Sequence, residues 1–331
     1  GSGDSINPRY RELGDTTLYD ANDLVQVDGQ HQSRPGDNPS WTDWTITLDQ
    51  TTTASHFGDD YIAGGADDDT IFGQRGDDTI QGDGSIASKI DDTNPVAATR
   101  DGSLSDLPGL IEVGTLQVIP SFEDAGDGDD YIEGNSGSDL IFGNLGQDDI
   151  VGGSSTLFSL VGANLRDDAA DLIFGGAGTD ILRNNTGDGN GRDSDVILGD
   201  NGNVYRLVST GGAHLSFAYD DGYDEQIIVR APQLIDYTPG GVLGEPAAGD
   251  IGTGDELHGE SGDDFIYGQL GSDVLFGEGQ DDDLSGGTGN DWISGGTGDD
   301  GVLGDDGRIY TSRNGTAEPL YGISDLAGQT N

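Results

Sequence analysis

The chain has 331 residues, with 13 Lys and Arg against 63 Asp and Glu, so the formal net charge is −50. Of the acids 53 are Asp and 10 are Glu, and Lys89 is the sole lysine. This balance excludes nucleic acid as a partner and argues against an anionic membrane surface, because both require clustered basic side chains. Cysteine is absent, which excludes disulfides, thiol chemistry and Cys-ligated metal centres. No apolar run approaches the ~18 residues of a membrane span, so no membrane insertion is expected. A chain that is only 32% hydrophobic and this strongly charged repels itself unless counter-cations are bound.

In chain order, residues 1–54 read as a β-rich segment, the tail of an insert, with Trp41 to Leu48 as its strand-like stretch. Residues 55–86 hold aspartates nine apart at Asp60, Asp69 and Asp78. An insert follows over 87–124, with strand-like stretches at Leu110–Val113 and Val118-Ile119. The same register returns over 125–207 at Asp130, Asp139, Asp148, Asp171, Asp180 and Asp195, broken by loop insertions at 154–165 and 184–189. A second insert, 208–249, carries Phe217, Tyr219, Tyr223 and the strand-like stretch from Ile227 through Ile235. The third and most regular run, 250–309, places Asp255, Asp264, Asp273, Asp282, Asp291 and Asp300 at unbroken nine-residue spacing. Residues 310–331 read as the start of a further insert.

Other columns of this register carry the same message. Two residues after each of the 15 aspartates stands an aliphatic side chain, from Ile62 to Val302. Four residues after it stands Gly in 14 of 15 units, Asn184 being the exception. Two residues before it stands Gly in 10, with Asp67, Ala169, Asp193, Thr253 and Gln280 departing. Glycines allow positive-φ turns and let main-chain carbonyls crowd inward. The three residues between turns predict a short strand whose middle side chain points inward. Two units then make one coil, and coils stack as parallel strands about 4.8 Å apart. Asp255 is expected over Asp273 and Asp291, and Asp264 over Asp282 and Asp300.

Carboxylates stacked this closely need a hard cation between successive turns. Calcium accepts six to eight oxygen ligands in flexible geometry, whereas magnesium demands a tighter octahedron and keeps its waters. Counting sandwiched sites as two fewer than the units in a run gives roughly nine or more ions if the three runs are separate rolls. In the third run, Asp255 and Asp300 are then expected at the ends of the stack, with Asp273 and Asp282 in its middle.

Gly295-Gly296-Thr297-Gly298-Asp299-Asp300 and Gly286 to Ser294 resemble the nonapeptide of RTX (repeats-in-toxin, haemolysin-type) calcium-binding proteins. The resemblance spans 135 residues as 15 units. It implies an all-β fold, calcium-stabilised parallel β-roll (β-solenoid) segments interrupted by β-rich inserts, with the 15 register aspartates as calcium ligands. The inserts are expected to cap exposed roll ends, a ligand-binding surface being the other reading.

No enzyme is expected. The four histidines lie far apart, and neither HExxH nor GxSxG occurs. Adjacent acids such as Asp59-Asp60 cannot flank a sugar bond from two sides. The function expected is a structural or adhesive calcium-binding repeat module of a secreted or cell-surface bacterial protein, folding on extracellular calcium. The alternative is the folding and secretion appendage of a secreted enzyme or toxin. The resemblance implies type I secretion, with neighbouring copies or surface and matrix components as possible partners.

Overall fold

The computed structural model describes residues 7–22, 24–32, 45–49, 56–91, 94–100, 115–179, 189–217, 225–240, 247–311 and 317–323. Strands dominate, and the helices are single turns such as Ala87–Ile90. Two seven-stranded parallel sheets form the roll. One runs through Thr70–Arg75, Tyr131–Ser136, Asp149–Val151, Val196–Leu198, Phe265–Leu270, Asp283–Thr288 and Gly301–Leu303. The other runs through Tyr61–Ala63, Thr79–Gln81, Leu140–Phe142, Leu172–Phe174, Glu256–Ser261, Val274–Gly279 and Trp292–Thr297.

The aliphatic column of the sequence sets the register of both sheets. Ile71, Ile132, Ile150, Ile197, Ile266, Leu284 and Val302 pair in line on one face. Ile62, Ile80, Ile141, Ile173, Leu257, Leu275 and Ile293 do so on the other. Eleven of these fourteen form one buried cluster, with Ile62 and Ile293 packed against it. Val302, on the last coil, is 45% exposed. One aliphatic side chain per nine residues, worth about 1.5–3 kcal/mol when buried, is a thin core. The turns must supply the rest.

The three runs do not form three bodies. Thr79–Gln81 pairs with Leu140–Phe142 across the first insert, and Leu172–Phe174 pairs with Glu256–Ser261 across the second. Asp255, expected at the end of a stack, therefore sits in its interior. Asp180 and Leu182 lie outside the described residues; within them, the strand after Leu172–Phe174 in the roll is Val196–Leu198.

The inserts lie against the sides of the roll. Arg230–Leu234, Gly202–Val208, Asn7–Leu13 and Val27–Gln32 form a four-stranded sheet. Val204 and Leu234 of this sheet pack on Val151, Val196, Leu198 and Tyr267 of the roll. On the opposite side the antiparallel pair Ala97–Arg100 and Leu116–Ile119 brings Ala98, Leu116 and Val118 onto Phe142 and Phe174. They cover middle coils of the roll, where end-capping was expected. The outer strand Trp292–Thr297 stays largely open, with Trp292 48% exposed. Of the predicted insert strands, Trp41–Trp44, Leu110–Val113, Tyr219 and Tyr223 lie outside the described residues.

Candidate metal centre

The register aspartates stand at the two edges of the roll, where one sheet turns into the other. Fourteen of the fifteen fall into two columns. In one, the backbone N–H of Asp60 donates to Oδ1 of Asp78 at 2.7 Å, and the pattern repeats through Asp139, Asp171, Asp255, Asp273 and Asp291. In the other, Asp69 donates to Asp130, and so on through Asp148, Asp195, Asp264, Asp282 and Asp300. Every rung spans 2.7–3.2 Å. One oxygen of each accepting carboxylate is thus committed to the neighbouring coil.

The other oxygen is not. Oδ2 of Asp69, Asp78, Asp130, Asp139, Asp148, Asp171, Asp195, Asp255, Asp264, Asp273, Asp282 and Asp291 is buried with no hydrogen-bond partner. Twelve buried, uncompensated carboxylate oxygens require an account, since each unpaired buried charge is costly. Each points at a glycine of the turn. A Cβ on Gly82 would lie 2.1 Å from Asp130 Oδ2 and 2.5 Å from the Gly143 carbonyl oxygen. A Cβ on Gly268 would lie 2.5 Å from Asp273 Oδ2 and 2.6 Å from the Gly286 carbonyl oxygen. The same pair, a carboxylate and the carbonyl of the next coil, recurs at all twelve. Asp300 faces Gly295 on Trp292–Thr297, the end strand of its sheet among the described residues.

The glycine columns divide the labour. The glycine four residues after the aspartate is needed for room, because any side chain there would fill the oxygen-lined cradle. The next position takes the left-handed conformation, and Gln74, Asn135, Asn144, Glu260, Gln269 and Glu278 hold it without glycine, at φ 73–77° for Gln74, Asn135, Glu260, Gln269 and Glu278. Asp67 and Gln280, which replace glycine two residues before the aspartate, are left-handed as well, so those turns keep their shape.

A second ladder, one residue earlier, had not been singled out as a column. The N–H of Asp77 donates to Asp59, Asp129 to Asp68, Gln147 to Asp129, Asp281 to Asp263 and Asp299 to Asp281. It runs opposite to the first, with the later coil donating. The paired acids Asp59-Asp60, Asp68-Asp69, Asp77-Asp78 and Asp263-Asp264 were its visible signal.

Burial pushes the ladder carboxyls up, and repulsion between neighbours adds to it. Asp148, Asp171, Asp195 and Asp255 are raised well above the carboxylate range, with Asp130 pressing on Asp148 and Asp273 on Asp255. Asp78 and Asp291 rise to about 6, Asp130 and Asp139 to about 8. Among the described residues no three carboxylate or imidazole side chains converge on a point. The donor set is one carboxylate and main-chain carbonyls per turn. This is hard, all-oxygen chemistry, and it fits calcium.

The family model for the RTX calcium-binding nonapeptide repeat matches the chain four times, over residues 57–85, 124–155, 252–284 and 276–308. These stretches are RTX calcium-binding repeats. No curated protein matches the chain. The RTX matches leave out Asp171 and Asp195, yet these sit in the same ladders with the same rungs as their matched neighbours. RTX repeats bind calcium, and the RTX module is structural, with no catalytic role attached to it.

His258 lies on the roll strand Glu256–Ser261. It is buried and stacks between Phe174 and Phe276, at ring-centroid distances of 4.7 and 4.8 Å, with Phe142 continuing the column. Glu256 and Glu278 flank its two ring nitrogens at 3.0 and 3.2 Å.

Proposed function

We propose that this chain is a structural or adhesive module of a secreted or cell-surface bacterial protein, whose roll folds when it meets extracellular calcium. The observation that carries the reading is the set of twelve buried, unpartnered Oδ2 atoms, each facing a carbonyl oxygen across a side-chain-free cradle. We assign one calcium ion to each, held by the twelve aspartates named above, with Asp60 and Asp300 as terminal ligands and Asp180 in the same role within its own nonapeptide. The count of about nine rested on separate rolls; a continuous stack supports twelve. Calcium would supply the positive charge that 13 Lys and Arg cannot. A module tuned to roughly 10⁻⁴–10⁻³ M calcium would stay unfolded in the cytosol and fold outside.

Circular dichroism with and without chelator tests this. The β-rich spectrum should collapse in excess EGTA at pH 8 and return with calcium. Acid should replace part of the calcium effect. Because the folded-state values of Asp78, Asp130 and Asp139 are raised, the folded, calcium-free chain binds more protons than the unfolded one. Its stability is therefore gained as pH falls through about 8 to 6 and lost as pH rises. A spectrum indifferent to EGTA at pH 8 would sink the proposal.

A further inference from the structure

The interrupted turn between Gly152 and Asp171 carries a carboxylate that the repeat does not provide. Asp168 stands three residues before Asp171, where the uninterrupted turns have Ala66, Arg75, Ser136, Leu145, Ser261, Leu270, Gly279, Thr288 and Thr297. Ala169 occupies the place of the turn glycine. Both carboxylate oxygens of Asp168 are buried, and no N–H or hydroxyl group donates to either. Asp171, itself almost fully buried, has its Oδ2 in the same condition.

Oxygens line two consecutive glycines here, two beside each, and one of them, Asn201 Oδ1, also accepts from the Ser154 N–H at 2.6 Å. A Cβ on Gly153 would lie 2.6 Å from Asp168 Oδ1 and 2.6 Å from Asn201 Oδ1. A Cβ on Gly152 would lie 2.0 Å from the Gly199 carbonyl oxygen and 2.4 Å from Asp171 Oδ2. Among the described residues no basic side chain bonds to them. The nearest along the chain, Arg166, is committed to Asp236 at 2.8 Å and to the Leu160 carbonyl. Asp200 lies within side-chain hydrogen-bonding reach of Asp168, a contact between two carboxylates that only a shared proton or a cation can satisfy, and its two oxygens also accept from the N–H groups of Thr253 and Leu270.

We propose that Asp168 is an off-register ligand for a hard divalent cation, shared with Asp171, Asn201 and the Gly199 carbonyl, and supplied by the loop that interrupts the repeat. The inference rests on the calcium reading of the ladders. It adds that the loop over residues 153–170 is built into the metal site and is more than a tolerated insertion. A cation there joins three segments far apart in sequence: the loop itself, the turn after Gly199 and the strand after Asp171.

The test is calcium stoichiometry on the full chain carrying Asp168→Asn, with the exposed neighbour Asp167→Asn as control. Asp168→Asn should lose about one bound ion per chain, or weaken one site by roughly tenfold or more, and Asp167→Asn should lose none. If Asp168→Asn keeps the full complement with an unchanged calcium midpoint, the assignment of Asp168 is wrong while the ladder sites stand. If the unsubstituted chain binds no calcium, both readings fall. Anomalous scattering from calcium-grown crystals of the unsubstituted chain decides the matter even if the variant does not fold: an ion beside the Gly152 cradle at ligand distance from Asp168 supports the proposal, and an ion there beyond ligand distance of Asp168 overturns it.

Discussion

Replacing Asp195 by Ala should cost the calcium-loaded protein about 3–5 kcal/mol, and replacing Asp300 by Ala about 1 kcal/mol. Asp195 sits in the interior of its ladder. Its Oδ1 accepts from the Asp148 N–H, its own N–H donates to Asp264, and its Oδ2 faces the Gly259 carbonyl across the Gly175 cradle. Losing the side chain removes a rung and a cation ligand together, and leaves the buried carbonyls of two turns facing each other. Asp300 ends its ladder among the described residues, accepting one 3.2 Å bond from the Asp282 N–H, with its cradle on the end strand of the sheet. Asp195→Asn keeps the Oδ1 acceptor and drops the charge, so it should fall between the two. Denaturant titration in saturating calcium, with the calcium midpoint of each variant, measures the difference. Equal losses at Asp195 and Asp300 would mean that the carboxylates act one by one, and the stacked ladder would be wrong.

A second large effect is expected at Asp149, which shows what this chain does with a buried acid when calcium is not the partner. Asp149 follows the ladder residue Asp148 but points to the outer side of the roll, under the four-stranded sheet. Three strands of that sheet each contribute an arginine to it: Arg9 at 2.5 Å, Arg206 at 2.6 Å and Arg230 at 3.7 Å. Burial pushes this carboxyl up, but the three guanidinium groups outweigh it and hold Asp149 below the usual carboxylate range. Arg206 also reaches Asp129 at 3.1 Å. Asp149→Ala would leave three buried cations sharing little compensation, so a loss of about 3–5 kcal/mol is expected. The damage should be local first, appearing as faster proteolysis of the sheet formed by Asn7–Leu13, Gly202–Val208 and Arg230–Leu234 while the calcium count holds. A variant within 1 kcal/mol of the parent, with unchanged proteolysis, would show that the arginines find other partners.

The roll was legible because each unit repeats the same three demands at fixed offsets. Ile197 must face inward, Asp195 must reach the next coil, and Gly199 must leave space, so one register accounts for all three. What could not be read was how the runs join. The rung from Asp78 to Asp139 crosses 61 residues of sequence, and nothing in the nonapeptide states that the insert leaves sideways and the roll resumes in line. The place of the inserts was hidden for the same reason, since Val204 and Val118 look like any strand residue until the faces they cover are known. Asp149 was invisible because its arginines lie 140, 57 and 81 positions away and belong to no repeat. Asp168 was overshadowed by the register itself, which draws the eye to Asp171. The pairing of acids at Asp59-Asp60 and its counterparts was in view, but its role as a second, oppositely directed ladder follows from coil stacking alone.

The measurement closest to the central claim is a crystal structure of the chain grown in calcium, with ions located by anomalous scattering. Twelve ions are expected in two files, one along each edge of the roll, each beside the Oδ2 of one of the twelve ladder aspartates named above and continuing without a gap past both inserts. Two or three ions, or ions placed away from the glycine cradles at Gly82, Gly152, Gly199 and Gly268, would contradict the account.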